Sequence, residues 1–207
     1  MWEVIFESWL DEQMAGADAA HDRAHIQRVV KTAKELAGLE GADLDVVIPA
    51  AWLHDCVTVP KDSDKRPFAS RMAAKAAGQF LIDKGYPAEK ISNIEHAIAA
   101  HSFTAQITPE TIEAKVVQDA DRLDAIGAIG ISRCLMLGGV MGKPLYSAHE
   151  PIPETRTPND KEYVIDHFFI KLFKLQETMQ TEAGRREAID RTTFMKRFLD
   201  KLESEVE

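Results

Sequence analysis

His21 and His25 stand four residues apart in "HDRAHIQRVV". On a helix that spacing puts both imidazoles on one face, within reach of one metal ion. A zinc-protease grip would also need a glutamate after the first histidine, as general base, and a third ligand. Here Asp22 follows His21, and Arg23 and Arg28 lie close by. The stretch is therefore not a self-contained zinc motif. His21 and Asp22 read instead as a helix start, with the carboxylate at the positive helix end. A second pair, His54 and Asp55, follows the apolar run Ala50 to Leu53 in "AAWLHDCV". A histidine and a carboxylate on a buried helix are costly unless paired or bound to something. Adjacent helical residues diverge by about 100°, so the two converge on an ion only where the helix ends. Val57 to Pro60 predict such an end. The competing reading is a satisfied core histidine with an aspartate C-cap. A third stretch, "VVQDADRLDAIGAIG", sets Asp119, Asp121 and Asp124 in an otherwise apolar helix. Asp121 and Asp124 share a face, Asp119 points elsewhere, and Arg122 can neutralise one of them.

One set drawn from these stretches is His25, His54, Asp55 and Asp121: two imidazoles and two carboxylates on three helices. A mixed nitrogen and oxygen set of this kind suits Mn²⁺, Mg²⁺, Fe²⁺ or Ni²⁺ with water in the remaining positions. Such an ion lowers the pKa of a bound water and polarises a phosphoryl oxygen. The only cysteines, Cys56 and Cys134, are too few for a disulfide framework or a thiolate zinc site. Cys56 reads as a small buried hydrophobe.

Helices must position these residues. "HIQRVVKTAKELAGL" places Ile26, Val29, Val30, Ala33, Leu36 and Ala37 on one face, with Gly38 and Gly41 at its end. "ADLDVVIPAAWLHDCV" is apolar almost all round and predicts a central helix, with Pro49 marking a kink or a late start. "RPFASRMAAKAAGQFLIDKG" predicts a helix from Pro67 to Gly85, and "PAEKISNIEHAIAAHSF" another with Pro87 in its first turn. Thr108 is the expected N-cap of the next, with Pro109 at its first position. A glycine-containing helix follows it. Residues 139–160 are rich in proline and glycine and predict a long irregular loop. Two terminal helices are expected in "DKEYVIDHFFIKLFKLQETM" and "EAGRREAIDRTTFMKRFLDKL". No strand pattern, repeat or composition break occurs. The expectation is a single all-α domain over residues 1–207, with a metal core at about 20–125 and C-terminal helices at about 161–205 packed on it.

The 207 residues are 45% apolar and 29% charged, an ordinary globular composition, with a formal charge of −9. Such acidity disfavours long nucleic acids, which need a broad basic face. "MWEVIFESWLDEQM" has no basic n-region and is not expected to be a signal peptide. The longest apolar run is cut by Arg133 and loaded with glycine, so no membrane span is expected. The protein reads as cytoplasmic; a homodimer is one assembly open to it, and the sequence does not fix the oligomeric state.

In order and spacing, "HIQRV", "LHD" and "DADRLDAIGAIG" resemble the HD-domain superfamily of metal-dependent phosphohydrolases. The likeness extends through "ASRMAA", "HAIAAHSF" and "DHFFIKLFKL…TMQTE", covers nearly the whole chain, and is strongest to the small bacterial, YedJ-like HD hydrolases. The resemblance implies an all-helical fold, a divalent metal and hydrolysis of phosphate esters or anhydrides, commonly in nucleotides. It assigns the metal to His25, His54, Asp55 and Asp121, leaving Asp119 and Asp124, with His21 and His96, as reserves. His101 is expected to line the site, as related enzymes place a further histidine near the phosphate. Lys61, Lys65, Arg66 and Arg71 form the best basic cluster, and a phosphate substrate needs cations. Lys61 and Arg71, with Asp55 and His101, are the expected catalytic helpers; Lys65, Arg66 and Arg28 are substrate contacts. The implied partner is a small phosphorylated molecule, a nucleoside mono- or triphosphate, attacked by a metal-bound water. The alternatives are a non-catalytic metal or nucleotide sensor on the same fold, and a two-iron oxygenase.

Overall fold

A computed structural model describes residues 2–13, 23–59 and 63–206. The fold is all-α, as the sequence predicts. Contacts group the chain into two units, Met1–Asp121 with Gln180–Ala183, and Arg122–Met179 with Gly184–Glu207. The first unit holds α1 (Trp2–Gln13), α2 (Arg23–Glu40), α3 (Leu44–Leu53), α4 (Ala69–Asp83), α5 (Ala88–His101) and α6 (Ile112–Asp124) as far as Asp121. Within it α3 packs against α1, α2 and α5, and α4 packs against α5.

The expected face of α2 is the buried one: Ile26, Val29, Val30, Ala33, Leu36 and Ala37 are all core residues. The N-terminal segment, for which the sequence reading offers no element, is the amphipathic α1. It buries Phe6 and Leu10, and Glu3 fastens it by accepting from Lys34 Nζ at 2.7 Å and Trp52 Nε1 at 2.9 Å. Pro49 neither delays nor ends α3, which starts at Leu44 behind an Asp43 N-cap. A proline at 49 leaves the carbonyl of Asp45 without its helical donor. Tyr86 Oη–H donates to that oxygen at 2.6 Å and takes the place of the missing amide. α3 stops at Leu53, so His54 and Asp55 lie where the helix unwinds.

A 3₁₀ turn at Arg66–Phe68 precedes α4, so the helix begins after Pro67, at Ala69. Thr108 and Pro109 do not open α6. The helix starts three residues later than expected, where Thr111 Oγ1 accepts from the Ala114 amide at 3.2 Å and donates to Asn93 at 2.8 Å.

The second unit holds the end of α6, then α7 (Gly127–Val140) and most of α8 (Glu182–Val206). Gly127 has φ +75°, which permits the corner between α6 and α7. The expected loop is present, but it runs further than 139–160 because the expected helix from 160 begins only near Asp166. Its amides are already engaged: Val164 donates to Pro144 O at 3.1 Å and Ile165 to Leu145 O at 3.0 Å. Buried Asp166 accepts from both Arg156 amino groups and from the Asn159 amide. A π turn, Phe168–Leu172, and a 3₁₀ turn, Phe173–Thr178, follow instead of one α-helix. No single helix among the described residues is long and apolar enough to cross a membrane.

Candidate metal centre

Three helix ends and one helix face meet within the first unit. His25 lies in the first turn of α2, His54 and Asp55 just past α3, His101 at the last residue of α5, and Asp121 near the end of α6. His25 Nε2 is 3.4 Å from His54 Nε2 and 3.4 Å from Asp121 Oδ1, and His54 Nε2 is 3.8 Å from that oxygen. Asp55 extends the group, with Oδ2 3.7 Å from His54 Nε2 and Oδ1 3.6 Å from His101 Nε2. His54 thus belongs to two overlapping sets, one with His25 and Asp121 and one with Asp55 and His101.

The ring orientations have a local cause. His54 Nδ1 lies 2.8 Å from Ala51 O, and His101 Nδ1 lies 2.6 Å from Ile98 O. A carbonyl can only accept, so each Nδ1 carries a proton and each Nε2 faces the cluster. This is the arrangement by which backbone carbonyls orient metal-binding imidazoles. Burial pushes His54 below its ordinary value, against the opposing pull of Asp55 and Asp121. Its Nε2 therefore presents a lone pair. Burial also opposes the charged form of His101, but the hydrogen bond and charge of Asp55 outweigh it and raise that ring. Partial burial would raise Asp121; the hydrogen bond with His25 and the surrounding imidazoles prevail and hold it down, as a carboxylate.

The donor set fits a hard or borderline divalent cation. Ligand atoms around an octahedral ion at about 2.1 Å are about 3.0 Å apart when adjacent and about 4.2 Å when opposite. The separations of 3.4 to 3.8 Å fall in that range. The imidazoles form a buried floor, at most 7% exposed, while Asp55 and Asp121 are 27% and 28% exposed and form the open side.

The HD domain family matches residues 23–126, the stretch that carries all five of these side chains. This chain belongs to the HD-domain family. YpgQ of Bacillus subtilis is 34% identical over 203 residues, covering 96% of this chain and 91% of YpgQ. The crystal structure of YpgQ in complex with ADP superposes with a TM-score of 0.75 at 33% identity, over 98% of this chain and 93% of that one. An HD-superfamily hydrolase from Bacillus thuringiensis gives 0.75 at 31% identity, over 99% and 98%.

The HD-domain cluster thus gathers His25, His54, Asp55, Asp121 and His101. Other expected residues lie elsewhere or do other work. Asp119 is fully buried and accepts from the Gln180 and Thr181 amides and the Thr181 hydroxyl. Asp124 pairs with Arg133 at 2.6 Å. His96 Nε2 accepts from the Glu110 amide at 2.9 Å. Arg66 donates to Val59 O at 2.9 Å. Arg71 and Lys65 are exposed and Arg28 is half-buried. His21, Asp22 and Lys61 lie outside the described residues. Cys56 is buried beside Asp55, and burial pushes its thiol up to about 12, away from the thiolate form that a nucleophile needs. The sequence reading missed Ser70 and Gln118, which hydrogen-bond the last turn of α5. Their residue types give no chemical signal.

Proposed function

We propose that this protein is a metal-dependent phosphohydrolase acting on a nucleotide. The observation that carries the reading is the convergence of His25 Nε2, His54 Nε2 and Asp121 Oδ1 within 3.8 Å, with His54 locked in the tautomer that presents a lone pair. Two imidazole nitrogens held face to face repel unless a proton or a cation lies between them. His25, His54, Asp55 and Asp121 would hold a divalent cation, Mn²⁺, Mg²⁺, Fe²⁺ or Ni²⁺. Such an ion, when bound, activates water and polarises a phosphoryl oxygen. The exposed side of the two carboxylates leaves room for water and phosphate, and Asp55 orients the attacking water. His101 Nε2, 3.6 Å from Asp55 Oδ1, is placed to pass a proton to the leaving oxygen. Arg71, Lys65, Arg66, Arg28 and Lys61 are candidate partners for phosphate charge. The YpgQ complex with ADP supports a nucleotide as the substrate class.

The test is a panel of nucleoside mono-, di- and triphosphates with Mn²⁺, Mg²⁺, Fe²⁺ and Ni²⁺, with phosphate and pyrophosphate release followed separately. Turnover that is lost in Asp55→Ala supports the reading. Nucleotide binding without turnover under every metal would replace it with a non-catalytic sensor.

A further inference from the structure

We propose that Ser70 and Gln118 are positioning residues for His101, acting on the reaction above without touching substrate. α5 ends at His101, and the carbonyls of its last turn run out of helical amide partners there. Side chains serve three of them. Ile98 O accepts from His101's own Nδ1–H at 2.6 Å, Ala99 O from Ser70 Oγ–H at 2.9 Å, and Ala100 O from Gln118 Nε2–H at 2.6 Å. Ser70 comes from the start of α4. Gln118 comes from α6, three positions before Asp121 and on its face.

The last turn of α5 is therefore held from two sides, once by the helix that carries Asp121. One pin would let the turn swivel; pins on consecutive carbonyls fix both its position and its rotation about the helix axis. His101 depends on that rotation, because with Nδ1 engaged on Ile98 its Nε2 meets Asp55 at 3.6 Å only in this orientation. Both pins are buried, so water cannot easily substitute for them. Gln118 also carries a cost that a space-filling residue would avoid. Its Oε1 is buried without a partner among the described residues, and methionine would fill similar volume without that penalty. The bond to Ala100 accounts for an amide at this place.

The geometric part of the proposal does not need the catalytic reading, and the test separates the two. Long-range ¹H–¹⁵N correlation spectra report the tautomer and hydrogen bonding of each histidine ring, with His101 assigned by its loss in His101→Gln. In Ser70→Ala and in Gln118→Met the His101 ring signals shift or broaden, while those of His54 stay in place. Val116→Ala, fully buried on the same helix, serves as the control: it lowers the melting temperature and leaves the His101 signals unmoved. Should Gln118→Met fail to fold, Ser70→Ala tests the other pin. With turnover of the best nucleotide as second readout, each variant loses about 10-fold in kcat with little change in KM, and neither loss appears in a His101→Ala background. Unmoved His101 signals in both variants, or losses that persist unchanged without His101, overturn the proposal. Shifted signals in a protein that hydrolyses no nucleotide uphold the clamp and reject the reaction.

Discussion

At the scale of single residues, two histidines use one device for two ends. His54 and His101 each give Nδ1–H to the carbonyl three residues back and aim Nε2 at the same carboxylate. Burial wins at His54 and lowers its ring; the hydrogen bond and charge of Asp55 win at His101 and raise its ring. The substitutions should therefore separate. His54→Ala loses at least about 10-fold in Mn²⁺ affinity, whereas His101→Ala keeps the ion and loses about 100-fold in kcat. Titration calorimetry with Mn²⁺ alone, beside turnover, distinguishes them; equal metal loss in both variants would contradict the division. The residue types announce this chemistry in the sequence, and the resemblance to the HD-domain family selects among them. Spacing by itself does not rank Asp119, Asp121 and Asp124. Asp119 is committed to amides 61 and 62 positions away, and no local pattern contains those partners.

At the scale of elements, apolar periodicity makes α2, α4, α5 and α8 legible, because each buries one stripe. The errors fall where backbone groups find distant partners. The start of α6 moves to Thr111, which is held by Asn93 on α5, and the segment before Asp166 gives its amides to the loop at Pro144 and Leu145. Glu113 shows a similar tie between elements. It accepts from the Asp43 amide at the start of α3 and from Asn93 on α5. Burial would raise its carboxyl; the amide of Asp43 and the other donors outweigh burial and lower it. A lowered folded-state pKa means that the stabilisation is fully present above the ordinary glutamate range and is lost as pH falls through the folded value. Glu113→Gln should melt at a lower temperature than wild type at neutral pH, and the gap should close on acidification below that range. Melting curves from pH 7 down to pH 3 check this; a gap of constant size would refute the assignment.

At the scale of the whole molecule, the proposed metal centre joins helices that the sequence separates widely, since His25 and Asp121 lie on α2 and α6. An ion bound there stabilises the folded chain by mass action, by about 2.7 kcal/mol at a hundred times its dissociation constant. Mn²⁺ should raise the melting temperature of wild type, a chelator should reverse the rise, and Asp121→Ala should show neither effect in calorimetry. The pairing of Pro49 with Tyr86 has a different reach. The phenol is needed because the proline removes an amide, so the two positions, one on α3 and one in the turn before α5, cannot drift independently. Losing the hydroxyl first leaves the Asp45 carbonyl without either its helical donor or the phenol. Losing the proline first restores the helical bond and frees position 86 to change. Substitutions at this pair are therefore tolerated in one order and penalised in the other, which gives the chain's history a direction at a place where no chemistry occurs.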